Sequence, residues 1–285
     1  MEMTPSTDAF KLLQAISRGQ GIMGTDRIEA KARIRFTVAK ALSQGRVGFH
    51  FQPVVRAADP DFPAFHEMLA RLTLPNGQIL AAGAFLPLVA DGPLGRAIDR
   101  LALAQALRHL AENPGMRLSI NISPLSMGDE DWLAILGAAA RGGTGICGRL
   151  ILEITEDAAI QNAPMLRDFM EHVRATGCAL ALDDFGAGAT GFRHFRDFRF
   201  DIAKIDGAFV QGVHASPDSQ ALVECLISIA RHFEMMLVAE RVEDPADADW
   251  LREHGVDCMQ GYLYGRPAAI ARTSLRVVDA ARRAG

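Results

Sequence analysis

Long uncharged apolar runs are missing from this sequence. No stretch of about 18 such residues occurs, so no membrane-spanning helix is expected. The opening MEMTPSTDAFKLLQ is acidic early and has no apolar segment of the kind a secretory signal needs. Cysteine is scarce: Cys147, Cys178, Cys225 and Cys258 lie far apart, with no C-x-x-C pair. That points to reduced, mostly core thiols and a cytoplasmic protein. Surplus basic charge is absent too. The formal net charge of -4 gives no reason to expect a nucleic-acid polymer or a membrane surface as partner, and an anionic ligand would need local cations. Neither the HRD catalytic loop of kinases nor a Walker-type GK[ST] is present, and no repeat or low-complexity tract appears.

What the 285 residues do contain is alternation. Residues 1–30 read as an N-terminal short helix and linker, broken at Gly19, Gly21 and Gly24. A helical spacing follows from Asp26 to Gly45. Short apolar strands are then expected at Val47–Val55, Ala64–Leu72, Arg117–Ser123, Arg149–Thr155, Cys178–Asp184, Phe200–Asp206, Met235–Glu240 and Val256–Tyr262, mostly with helices between them. Repeated strand–helix–strand units imply a parallel sheet, and eight in a chain of this length favour a closed barrel. The first two strands lack an intervening helix; Pro60 and Pro63 mark their join, and the two can form an antiparallel pair.

Polar residues interrupt these strands in a pattern. Glu67, Asn121, Glu153, the pair Asp183 and Asp184, Lys204, Glu240 and Gln260 each sit in or at the end of a different apolar run. An isolated charge there is costly to bury. In a barrel, however, the carboxyl ends of all parallel strands meet on one face, the face that carries active sites. Five carboxylates brought together would repel, and Lys204 offsets only one of them. Two divalent cations would balance the set. Oxygen ligands plus an amide suit Mg²⁺ or Mn²⁺ rather than zinc, and Asp183 is placed to bridge both ions. Paired ions of this kind serve phosphoryl displacement.

ALALDDFGAGATG (Ala179–Gly191) offers a competing signal. Gly186, Gly188 and Gly191 spell the dinucleotide fingerprint G-x-G-x-x-G, with Asp206 about twenty residues on. Asp183 and Asp184 at its mouth would repel a pyrophosphate, so the glycines read better as a mobile loop after the fifth strand.

At these residues the sequence resembles the EAL-domain family of cyclic-di-GMP phosphodiesterases, over roughly residues 30–270. FHFQPVV, HEMLARL, SINIS, LILEITE, LALDDFGAG, DIAKIDGAFV, VAERVED and MQGYLYGRP match the family's blocks in order. The resemblance implies a modified TIM (β/α)8 barrel with an antiparallel first strand, filling residues 31–285 after the N-terminal segment. It implies hydrolysis of cyclic-di-GMP to linear pGpG with two Mg²⁺ or Mn²⁺ ions. Carried over, the metal ligands are Glu67, Asn121, Glu153, Asp183, Asp184 and Glu240. Lys204 holds and helps activate the attacking water, with Gln260 hydrogen-bonded nearby. Gln52, Leu69 and Arg71 match substrate contacts, and Glu156 matches a glutamate that steadies the loop after the fifth strand. A homodimer is implied, with a sensor domain or partner outside this chain as regulator. No GGDEF-type block appears, so cyclase activity is not expected.

Three departures stand out. Met68 replaces the usual alanine of the signature and should point away from the metals. Ala187, Ala189, Thr190 and Gly191 alter the loop that couples metal binding to dimer contacts in the family. Arg241 stands where the family has glycine, and strand alternation turns it out of the barrel. The altered loop and Arg241 keep a second function open, a cyclic-di-GMP receptor with weak turnover. A Schiff-base aldolase using Lys204 is disfavoured, because the neighbouring carboxylates raise the pKa of that amine.

Overall fold

The computed structural model describes residues 24–161, 163–187 and 198–271. Of the N-terminal segment expected over residues 1–30, residues 1–23 lie outside the described residues, as do the loop substitutions Ala189, Thr190 and Gly191 and the glycine Gly188. A long helix, α1 (Gly24–Ser43), leads into a nine-stranded sheet. The strands are β1 (Val47–Arg56), β2 (Asp59–Thr73), β3 (Ile79–Ala81), β4 (Leu118–Asn121), β5 (Leu150–Thr155), β6 (Ala179–Phe185), β7 (Ile202–Ile205), β8 (Met236–Ala239) and β9 (Cys258–Gln260). Their order is β1-β9-β8-β7-β6-β5-β4-β2-β3, and β1 pairs with β2 as well, which closes an eight-stranded barrel with β3 outside it. β1 is antiparallel to both neighbours, whereas β2 and β4 to β9 run parallel. The expected α/β barrel with its antiparallel first strand is therefore the observed fold.

Two details differ from the sequence reading. Three-residue β3 was not expected; it pairs antiparallel with Arg71–Thr73 and is too short to show a periodic pattern. β2 starts at Asp59 and runs through Pro60 and Pro63, the residues expected to join the first two strands. The register between β1 and β2 shifts at Val54/Val55 and again at Val55/Arg56, with Pro63 opposite Val55. Such irregular pairing is where a strand tolerates a residue without an N–H donor.

Helices begin where proline and a cap allow. The 20-residue helix α2 (Pro93–Glu112) buries Ile98, Ala102, Leu103, Ala106 and Leu110, a stripe of helical period. In α3 (Glu130–Arg141) the Asp129 side chain accepts from the Trp132 N–H. Short α4 (Glu156–Gln161) and then α5 (Ala163–Thr176) follow β5. Ser216 caps α6 (Pro217–His232), and Asp244 caps α7 (Pro245–Glu253). Among the described residues no helix is long and apolar enough to cross a membrane. Cys147, Cys178 and Cys258 are buried free thiols, and Cys225 is exposed.

The core is layered. Between strands and helices lies the larger cluster, in which Phe51, Met68, Ile120, Leu152, Leu180, Ala203 and Leu237 face outward from the sheet. Met68 thus points away from the barrel interior. Inside the barrel a separate small cluster packs Val54, Phe65, Ile151, Ala181, Ile202, Val238 and Cys258 together. One residue from each of seven strands fills this layer, and it forms the floor under the site.

Candidate active site

Side chains two apart on a strand share a face. Two residues beyond each member of the inner layer, toward the carboxyl ends of the parallel strands, stand Glu67, Glu153, Asp183, Lys204, Glu240 and Gln260. On antiparallel β1 the same step runs backward, from Val54 to Gln52. On β4 the buried Ser119 is followed by Asn121. The sequence therefore places an apolar floor and a polar layer above it by one periodicity, and the barrel closes that layer into a ring.

Lys204 is the hub. It is 0% exposed, and its Nζ lies 2.7 Å from Glu240 Oε1, 2.8 Å from Glu153 Oε2, 3.0 Å from Asp183 Oδ1 and 3.6 Å from Glu67 Oε2. Glu67 is held from two further sides: Asn121 Nδ2 donates to its Oε1 at 2.8 Å and Gln260 Nε2 to its Oε2 at 2.6 Å. Gln52 lies opposite Glu67 in the β1–β2 register, and its Nε2 donates to the Gly265 carbonyl at 3.2 Å. Glu156 Oε2 accepts from the Gly186 N–H at 2.9 Å, tying the start of α4 to the turn after β6.

Asp184 does not obey alternation. Its φ is +56°, in the left-handed region, and the β6–β7 register breaks between Leu182 and Phe185. The twist turns Asp184 inward, so that it, Asp183 and Glu240 each bring an oxygen within 4.8 Å of the others. Aspartate tolerates this backbone better than most side chains. Among the described residues three acceptors of the ring remain unsatisfied: buried Glu153 Oε1, Asp183 Oδ1 and Gln260 Oε1 have no hydrogen-bond partner, although Asp183 Oδ1 faces the Lys204 ammonium.

Electrostatics follow from burial. Burial raises Glu153 and Glu240 from the ordinary carboxylate range to about 8, against the pull of Lys204. Asp184 is raised by burial and by Asp183. Burial works against the charge on Lys204, but Asp183, Glu153, Glu240 and Glu67 outweigh it and hold its pKa well above normal. That keeps Lys204 an ammonium and removes it as an amine nucleophile. A pH dependence follows for the metal-free protein. A carboxyl whose folded pKa is raised keeps its proton between about pH 4.5 and 8 while the unfolded chain releases it. Stability is then fullest below that window and falls as pH rises through it. In EDTA, the melting temperature should drop steadily from pH 5 to pH 8.5; scanning calorimetry showing a flat or rising trend would contradict the buried-carboxylate cluster.

A cavity of about 310 Å³ opens over this ring, lined by Glu67, Asp183, Glu240 and Gln260, with Gln52 and Leu69 at its side. Arg71, two residues beyond Leu69 on β2, donates to the Ala70 carbonyl at 2.9 Å. Burial lowers its pKa against the fields of Tyr262 and Glu67. Sequence reasoning missed Tyr262 and Glu243, which also line the cavity, and misplaced Arg241. β8 ends at Ala239, so strand alternation does not extend to Arg241. With φ +51° its backbone is left-handed, and the residue lines the cavity instead of facing out.

Comparison with known proteins agrees with this architecture. The family model described as EAL domain matches residues 36–267. The chain is 30% identical over 213 residues to cyclic di-GMP phosphodiesterase PdeF of Escherichia coli K12, a match covering 73% of this chain and 28% of that protein. Identity to cyclic di-GMP phosphodiesterase NbdA of Pseudomonas aeruginosa is 28% over 264 residues, covering 90% of this chain and 33% of the relative. The chain thus spans about a third of the length of these relatives. Among solved structures, that of the PaMucR phosphodiesterase in complex with c-di-GMP superposes with a TM-score of 0.75 at 26% identity, covering 83% of this chain and 97% of that one. With the family model matched across most of the chain, and the closed barrel and its polar ring in place, the protein belongs to the EAL-domain family.

Proposed function

We propose that this barrel hydrolyses cyclic-di-GMP to linear pGpG with two Mg²⁺ or Mn²⁺ ions. The observation that carries the reading is the ring itself: four carboxylates meet around one ammonium, Asp184 stands beside two of them, and among the described residues a fully buried Glu153 oxygen has no hydrogen-bond partner. Such an arrangement is costly to maintain unless cations complete it. The oxygen-rich donor set fits hard divalent ions, with Glu67, Asn121, Glu153, Asp183, Asp184 and Glu240 holding them. When bound, such ions polarise the phosphodiester and make water acidic enough to attack it.

The protein's own groups have distinct tasks. Lys204, locked as an ammonium, turns its three N–H donors to Glu153, Asp183 and Glu240; where an ion takes over one of these carboxylates, the freed N–H orients the attacking water. Asn121 and Gln260 aim Glu67. Gln52 and Leu69, on the cavity wall, and Arg71 beside them take the substrate, with Arg71 matched to phosphate. Glu156 keeps the turn after β6 in place through Gly186. A homodimer under the control of a sensor domain or partner belongs to the same reading, as does a cytoplasmic setting, supported by the buried free thiols.

The test is direct. Purified protein incubated with cyclic-di-GMP and Mg²⁺ or Mn²⁺ should release pGpG, seen by chromatography, and excess EDTA should stop it. Binding of cyclic-di-GMP without product would favour the receptor function instead.

A further inference from the structure

We propose that Arg241 is a phosphate-binding residue that sets substrate affinity, its guanidinium taking a phosphodiester of the cyclic dinucleotide beside the carboxylate ring. The inference rests on the hydrolysis reading above and deepens it. Three non-glycine residues have positive φ among the described residues, and two of them, Asp184 and Arg241, flank this site. A left-handed backbone disfavours an arginine, so the surrounding structure must impose it.

The structure imposes it from two sides. A Cβ on Gly207 would meet the Arg241 side chain, at 2.6 Å from its Cγ and 2.7 Å from its Cβ, so the stem lies directly on a glycine. Gly261 is pressed as closely against the Val242 backbone, and the Val242 N–H donates to the Gln260 carbonyl at 3.0 Å. Residues 241–242 are therefore clamped, and the Arg241 stem is held at the cavity wall with its guanidinium free to meet a ligand. The side chain is exposed and has no ion-pair partner among the described residues.

Charge gives it a task. A dinucleotide with two phosphodiesters must approach a cavity lined by Glu67, Asp183, Glu240 and Glu243. Lys204 cannot greet it, being buried beneath the carboxylates, which leaves Arg71 beside the cavity for one phosphodiester and Arg241 in the cavity wall for the other. Among the described residues lining the cavity, Arg241 is the single cation. A guanidinium recognises a phosphate with paired hydrogen bonds.

Steady-state hydrolysis by Arg241→Gly and Arg241→Lys, at about 50 and 300 mM salt, tests this. Arg241→Gly should raise KM about tenfold at low salt, with kcat within about threefold, because the contact is made to the ground state and transition state alike. The KM of the parent protein should rise more steeply with salt than that of the glycine variant, and lysine should fall between. The melting temperature should stay within about 2 °C, since relief of left-handed strain opposes the extra unfolded-state freedom of glycine. An unchanged KM, or a fall in kcat alone, overturns the assignment. Absence of hydrolysis by the parent protein would instead sink the functional reading, and this inference with it.

Discussion

Glu67→Ala is expected to lower cyclic-di-GMP turnover by on the order of 10³-fold or more while the protein stays folded. Glu67 is the carboxylate on which two neutral amides converge, Asn121 at 2.8 Å and Gln260 at 2.6 Å, and it faces Lys204 at 3.6 Å. Its removal deletes an oxygen donor and frees both amides from their alignment. Stability should move little, because two opposing effects meet. Leaving Asn121 Nδ2 without this acceptor, and Gln260 Nε2 with the longer bond to Gln52 Oε1 at 3.4 Å, costs about 1–3 kcal/mol. Taking one negative charge out of a crowded ring returns energy of similar size. Melting temperature and product release measured on one preparation would check both halves. Full turnover in the variant would show that the ring is not where chemistry occurs.

For Lys204→Met the expected loss is structural as well as chemical. The residue is 0% exposed and, among the described residues, is the one positive charge in ion-pair contact with Glu67, Glu153, Asp183 and Glu240. Methionine fills the volume of the stem but leaves the carboxylates uncompensated in a buried site. Breaking a buried charge cluster in this way costs about 3–5 kcal/mol. At about 2–4 °C per kcal/mol for a protein of this class, the melting temperature in EDTA at pH 8 should fall by roughly 10 °C. The sign of the pH dependence supplies a control: near pH 5 Glu153 and Glu240, raised to about 8, hold their protons, and most of the loss should vanish. Mg²⁺ should restore stability without acid, since the ions replace the missing charge. Turnover should drop on the order of 10²-fold even with Mg²⁺, because no ammonium remains to orient water. A variant as stable as the parent at pH 8 in EDTA would show that the Lys204 contacts contribute nothing net.

Both predictions concern residues whose types and positions were visible in the sequence. An apolar residue followed two places later by a polar one recurs in strand after strand: Phe65 and Glu67, Ile151 and Glu153, Ala181 and Asp183, Ile202 and Lys204, Val238 and Glu240, Cys258 and Gln260. Side chains with a period of two must share a face, and parallel strands must present their carboxyl ends together. Barrel, floor and ring were therefore determined by the sequence. The antiparallel first strand was legible as well, because β1 and β2 leave no room for a crossover helix.

What the sequence did not hold was the direction of residues beyond the regular ladder. β3 escaped notice because three residues carry no period, and its pairing is a property of the β2 edge. Asp184 follows Asp183 and by alternation should face outward; a register break and a left-handed φ bring it in. Arg241 follows Glu240 and was expected to face outward; the strand has already ended, and Gly207, distant in sequence, supplies the space into which its stem folds. Local periodicity fixes a side chain only while hydrogen bonds to the neighbouring strand hold the backbone extended. Past the last rung of the ladder, orientation is set by contacts between segments far apart in the chain, and only the tertiary structure decides it.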